Sequence, residues 1–184
     1  GRFREAFTQS GFVYREHLNF IVPTADSEEI ERRMSASRRR QIRKSLALGT
    51  RIVEAENLFQ VREFHRILVG LYREKVRKPL PDWSFFEKFF LHRDRLGVIL
   101  LVLTGDTVIG GILCPIFNKD ALYEWYVCGL DELYPRHYPS VMATWAAIDY
   151  AQKKGIKHFD FLGAGSPERD YGVREFKARF GGDS

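Results

Sequence analysis

The sequence predicts an α+β fold, a mixed and mostly antiparallel sheet flanked by helices. Three observations predict it. Val61, Phe64, Leu68 and Leu71 recur at three- and four-residue spacing, the mark of an amphipathic helix. Three strand-like runs then follow one another at 98–103, 107–117 and 121–128, joined only by Gly105-Asp106 and Asn118-Lys119-Asp120. A helical segment at 139–154 precedes a last buried strand at 158–162, which suits a meander plus one parallel crossover and not a doubly wound sheet.

The elements are justified in chain order. Residues 11–22 (GFVYREHLNFIV) read as one strand with a frayed start, and Pro23 leads into a short helix at 27–34 capped by Ser27. Ser37 is the expected cap of the next helix, which runs through a basic window and stops at Gly49. A short strand at 51–55 comes before the helix at 58–75. Asp82 then caps a helix reaching His92 that carries Phe85, Phe86, Phe89 and Phe90. The run 98–103 is apolar on both faces, which places it centrally. Val141, Trp145 and Ile148 form one face of the helix at 139–154, Gly155 ends it, and a short helix from about 170 to 180 closes the chain.

Composition narrows the class. The chain has 184 residues, 45% of them apolar and 14% aromatic, enough for one large domain with a real core. Cys114 and Cys128 fall in apolar strand-like runs and read as inert buried thiols, and no Cys/His set has the spacing of a metal site. The longest apolar run is too short to span a bilayer, and no signal-peptide pattern is present. Without a disulfide framework, a cytoplasmic setting is the expectation. The chain opens at Gly1 without a methionine, so a processed or truncated piece is expected.

Charge is concentrated. The net charge is +5, yet the window between Glu31 and Glu54 holds eight basic residues and no acidic one. Arg39 with Arg43, Arg40 with Lys44 and Arg40 with Arg43 stand three or four apart, so all four can share one broad helix face. Like charges so placed repel, and a phosphate on RNA, a nucleotide diphosphate or a peripherally contacted acidic membrane would relieve that repulsion. The bland reading is a solvated basic helix. No aromatic residue is interleaved, so the patch meets phosphate without reading sequence, and DNA is not an expected partner.

Two further stretches carry chemistry. In 155–165 Asp160 stands between Phe159 and Phe161, and the strand breaks into Gly163-Ala164-Gly165, as at a ligand cleft or at an ordinary turn with a satisfied aspartate. In 171–181 Val173, Phe176 and Phe180 form a stripe that leaves Lys177 beside it, either a snorkelling lysine or a cation for a developing oxyanion.

The spacing Phe159-Asp160-Phe161-x-Gly163, then Gly172-x-x-x-Phe176-Lys177-x-x-Phe180-Gly181, resembles the Fem family of aminoacyl-tRNA-dependent transferases that build peptidoglycan cross-bridges. The helix Arg38-Arg39-Arg40-Gln41-Ile42-Arg43-Lys44 is similar to that family's basic helix, and the matches frame about 35–181. The resemblance implies a GNAT-like acyltransferase domain over 1–184, with a basic lead-in at about 27–49 and the catalytic-type sheet at about 50–184. It also implies a piece equivalent to the second half of a two-half protein. Where the family commonly has Gly-Gly after the Asp-Phe, this chain has Leu162-Gly163.

By resemblance, Phe176 and Lys177 lie near the reacting ester, Arg43 contributes to a phosphate-bearing acceptor, and Arg39 and Arg40 follow less directly. The donor carbonyl is expected where the strands at 121–128 and 158–162 splay apart, with Gly163 at the mouth and Asp160 or Glu124 as candidate base. No tightly bound cofactor is expected. The donor is an aminoacyl-tRNA or an acyl-CoA, and the acceptor an amine such as a nucleotide-linked cell-wall precursor. Acetyl-CoA enzymes of this fold cradle pyrophosphate with a glycine-rich loop at a helix start. The corresponding loop, 130–140, has no glycine and contains Pro135 and Pro139, which favours aminoacyl-tRNA or another carrier. Arg136 and His137 in that loop remain able to meet phosphate. The rival class is a binding module that holds an anion without chemistry.

Overall fold

Apolar runs with two hydrophobic faces are buried only if a layer covers each face of the sheet they form. The computed structural model, which describes residues 2–15, 17–165 and 172–182, has that arrangement. In chain order its elements are α1 (Arg2–Gln9), β1 (Asn19–Pro23), α2 (Ser27–Arg33), α3 (Ala36–Ala47), β2 (Arg51–Glu54) and α4 (Leu58–Leu71). A π-helical turn (Tyr72–Val76), α5 (Trp83–Leu91), α6 (Arg93–Leu96), β3 (Gly97–Thr104), β4 (Thr107–Phe117), β5 (Ala121–Tyr123) and β6 (Tyr126–Gly129) follow. The last three are α7 (Pro139–Lys153), β7 (His158–Gly163) and α8 (Gly172–Ala178).

The strand order is β1-β7-β5-β4-β3-β2, with β6 also on β4. Only β5 and β7 are parallel, joined by α7, and the remaining pairs are antiparallel. The expected α+β class and its single crossover are therefore observed. β3 has a neighbour on each side. It sends Val98, Leu100 and Val102 into a core with α7, and Ile99, Leu101 and Leu103 into a second core with α4 and α5. These two cores define the two faces of the sheet.

Several expectations need correction. The strand expected at 11–22 is confined to Asn19–Pro23 and preceded by α1, because β7 offers partners only from Asn19↔Gly163 to Pro23↔His158. The cap of α2 is Asp26, not Ser27, and its carboxylate accepts from Glu28 N at 2.9 Å. The cap of α3 is Ser35, not Ser37, its hydroxyl accepting from Arg38 N. α4 stops at Leu71, where the chain widens into a π turn closed by Arg77 N donating to Tyr72 O. Residues 170 and 171 of the predicted closing helix lie outside the described residues.

The most consequential difference is in the expected strand 121–128, which is two strands. Leu113 pairs with Tyr126 and Ile116 with Leu122, so this chain spends one more residue than β4 over the same interval. Pro115 of β4 lies in that interval and has no N–H to donate. The result is a bulge at Glu124 and Trp125. Glu124 N donates to Asp160 O of β7 and Trp125 N to Leu113 O of β4, so β5 stays with β7 while β6 departs.

Candidate active site

The bulge aims Glu124 into the core between β7, α7 and α8. There it meets Lys177. The Lys177 ammonium donates to Phe161 O at 2.5 Å and Gly163 O at 3.1 Å, and lies 3.7 Å from Glu124 Oε1, with both side chains 7% exposed. A lysine is buried only where its charge is answered, and two carbonyls with one carboxylate answer it here. Two of its three N–H bonds go to these carbonyls, and the third is answered only by the longer ion pair to Glu124.

Glu124 is incompletely satisfied. Its Oε2 is buried without a hydrogen-bond partner among the described residues, as is Oγ1 of Thr144 on α7. Burial raises its pKa to about 7, against the opposing pull of Lys177 and Thr144. This carboxyl therefore changes protonation near neutral pH.

Asp160, the other candidate base, is engaged structurally. One of its oxygens, Oδ1, accepts from Asn19 Nδ2 at 2.9 Å and from Leu162 N at 2.7 Å. The second bond holds Leu162 at φ 56, a left-handed backbone that leucine seldom adopts. The strand thus turns at Leu162, and Gly163 O comes to face Lys177. Gly163 joins the site through its carbonyl.

Phe176 packs on Phe180 with ring centroids 5.4 Å apart, and both rings receive the guanidinium of Arg38, at 4.5 and 4.6 Å. Arg38 is buried and also donates to Gln41 Oε1 and Phe176 O. Burial lowers its pKa, Arg179 adds to the shift, and Asp131 opposes it. Sequence reasoning missed Arg38 as a site residue. Its spacing with Ile42 and Ser45, the other buried positions of α3, is the pattern that marks it as inward-facing.

The basic helix divides accordingly. Arg39, one of the expected phosphate contacts, donates through Nη1 to Glu31 O and Met34 O and so closes the end of α2. Arg40, Arg43 and Lys44 are exposed, and Lys44 Nζ stands 5.9 Å over the Tyr138 ring. Ser45 Oγ lies 2.6 Å from His137 O, and Thr50 Oγ1 lies 2.8 Å from both Ser45 Oγ and His137 Nδ1. These contacts hold the loop that carries exposed Arg136 against the end of α3.

The start of α7 is closed by the chain itself. Ser140 N and Oγ both donate to the Asp131 carboxylate, Pro139 contributes no N–H, and a Cβ on Gly129 would stand 2.4 Å from Ser140 N. Both cysteines are buried thiols with raised pKa values, burial being the main cause. Among the described residues no group of three or more His, Cys, Asp or Glu is placed to hold a metal ion. No helix among them is long and apolar enough to cross a membrane.

A family model described as "Acetyltransferase (GNAT) domain" matches residues 32–177. No curated protein matches the sequence. Among solved structures, FemX is similar with a TM-score of 0.78 at 14% identity, over 98% of this chain and 65% of that one. The C-terminal domain of a putative lysylphosphatidylglycerol synthetase from Agrobacterium fabrum gives 0.69 at 13%, over 97% and 61%. L-PGS from Bacillus licheniformis gives 0.64 at 10%, over 97% and 67%. This chain thus spans under two thirds of the first two, and at these identities the likeness is one of fold. The expected likeness to Fem-type proteins holds at that level.

Proposed function

Because the chain belongs to the GNAT acetyltransferase domain family, and is an acyltransferase domain of it, we propose that it moves an aminoacyl group from an ester-linked carrier onto an amine. The observation that carries this reading is the Lys177 ammonium, buried where β6 departs from β7, with one N–H held only by the longer ion pair to Glu124. Attack of the amine on the ester carbonyl forms the C–N bond and places negative charge on the carbonyl oxygen. That charge is what the remaining Lys177 donor would stabilise. Glu124, with its free Oε2, takes the proton that the amine loses, and collapse of the tetrahedral intermediate breaks the C–O bond and expels the carrier's oxygen, which takes that proton from Glu124 and leaves as a hydroxyl. Phe176 and Arg38 hold α8 so that Lys177 stays aimed. Asp160 acts by fixing the Leu162 turn.

The donor is an aminoacyl-tRNA or a comparable carrier, with acyl-CoA the alternative. Asp131 supports this, since its carboxylate occupies the N–H and hydroxyl donors at the start of α7 where a pyrophosphate would compete for them. Arg40, Arg43, Lys44 and Arg136 supply the phosphate contacts. The name of the lysylphosphatidylglycerol synthetase supports an aminoacyl group and a phosphate-bearing lipid acceptor, the motif resemblance to the Fem family supports a cell-wall precursor, and a cytoplasmic setting gives access to charged tRNA.

The test is turnover by the purified full-length protein with charged tRNA and with acyl-CoAs, scored as amide product. Product from charged tRNA is expected. Product from acyl-CoA alone would overturn the donor assignment. Failure with every donor, together with tight anion binding lost in Arg43→Glu, would make this a binding module.

A further inference from the structure

Among the buried residues of α7, Thr144 is the one with a polar side chain, and its neighbours there are apolar, Ala143, Ala146, Ala147 and Ile148 among them. Thr144 is fully enclosed. Valine has the same branched shape and no hydroxyl to strip of water, so packing alone does not call for threonine at this place. A threonine inside a helix commonly donates to the carbonyl four residues back, here Ser140 O. That bond is not made, and Thr144 Oγ1 has no hydrogen-bond partner among the described residues.

Glu124 Oε2 is left in the same condition. Burial raises the pKa of this carboxyl, Lys177 pulls it back, and the Thr144 hydroxyl pulls in the same direction as Lys177. The two orphaned atoms are complementary, because a hydroxyl donates and an ionised carboxylate only accepts. The other groups around Glu124 are engaged elsewhere. Lys177, from α8, stands at Oε1 and donates to Phe161 O and Gly163 O. Asp160, from β7, accepts from Asn19 Nδ2 and Leu162 N. Cys114, from β4, has its thiol pushed far up by burial and then by the Glu124 charge, so it stays neutral.

The two carboxylate oxygens thus have different keepers, an ammonium for Oε1 and a hydroxyl for Oε2. We propose that Thr144 is the positioning residue of Glu124: its hydroxyl donates to Oε2 of the ionised carboxylate and fixes the plane of the group. A carboxylate oxygen has two lone pairs, so Thr144 takes one and leaves the other directed at the amine. The amine's proton then passes to that second lone pair of Oε2. This role deepens the reading of Glu124 as the base of the transfer and rests on it.

Titration of the carboxyl tests the contact apart from turnover. The full-length protein is labelled with 13C at its glutamate carboxyls, and the Glu124 signal is identified by its loss in Glu124→Gln. Its midpoint is then read by NMR across pH. Thr144→Val keeps the shape and removes the hydroxyl, and its midpoint is expected about one pH unit above wild type. Thr144→Ala removes the same hydroxyl with less bulk and is expected to shift the same way, whereas Thr144→Ser keeps a donor and is expected to titrate like wild type. Measured alongside, kcat of Thr144→Val should fall roughly fivefold at about pH 7, recover about two units higher, and leave KM unchanged. A wild-type midpoint in both Thr144→Val and Thr144→Ala, or a shift in Thr144→Ser as large as theirs, overturns the proposal. A midpoint shifted by valine and restored by serine supports the contact whatever the donor assays give, so absence of turnover would then count against the transfer reading alone.

Discussion

At the scale of single residues, Lys177 and Glu124 form one unit whose members constrain each other. Lys177→Ala removes the donor proposed for the oxyanion, and loss of one such donor costs about 3 kcal/mol, roughly a hundredfold in kcat. The same change leaves Glu124 buried without its cation, so thermal stability falls too. Burial raises the Glu124 pKa and Lys177 holds it down to about 7, so without Lys177 the buried carboxyl stays protonated through neutrality and softens that loss. The two effects are separated by measuring kcat per folded molecule across pH. A kcat within a few-fold of wild type would sink the role assigned to Lys177.

Glu124 makes a second, signed prediction. Its folded-state pKa of about 7 lies above the ordinary carboxylate value, so the folded protein binds this proton more tightly than the unfolded chain does. The stability it contributes is present in acid and lost as pH rises through about 7. The transfer rate should move the other way, rising over the same interval as the base becomes available. Glu124→Gln should flatten both profiles. If the rate profile keeps its limb in that variant, another group takes the amine proton.

At the scale of elements, the junction of β6 and α7 is the tightest place near the site. Gly129 has no room for a side chain, since an added Cβ would stand 2.4 Å from Ser140 N and 2.6 Å from its hydroxyl. Gly129→Ala must push the strand off the helix start and loosen the Asp131 cap. A loss of about 1–3 kcal/mol is expected, read as a lower denaturant midpoint with unchanged slope. Element identity and order were legible because periodicity reports burial, which is why α4, β3, β4 and α7 stand close to where the pattern put them. The break at Glu124 was not. It depends on Pro115, which lies in another strand and acts only once the two are paired. The inward turn of Arg38 was hidden for a similar reason, because a run of arginines reads as solvated until Phe176 and Phe180 arrive from the far end of the chain. Lys177 itself was found through motif resemblance, while its partners, two carbonyls and a bulged glutamate, have no local signature.

At the scale of the whole molecule, the charge distribution separates what holds the fold from what meets a ligand. The eight basic residues between Glu31 and Glu54 exceed the net charge of +5, so the rest of the chain is net negative and this patch is the strongest draw on a polyanion. The structure divides the patch by use. Arg38 and Arg39 are consumed by Phe176, Phe180 and the end of α2, while Arg40, Arg43 and Lys44 face solvent. Removing an outward charge should therefore weaken binding of tRNA without unfolding the protein, and removing an inward one should do the reverse. For Arg40→Ala/Arg43→Ala, the slope of log K against log salt should fall by about 1–2, near one released counterion per lost phosphate contact. Arg38→Ala and Arg39→Ala should instead lower the melting temperature, with the salt slope per folded molecule nearly unchanged. Salt titrations of all three proteins, paired with thermal melts, decide it. A slope that falls equally in all three would mean that the helix binds as an undivided basic surface, and that the stacking of Arg38 on α8 is not what organises the site.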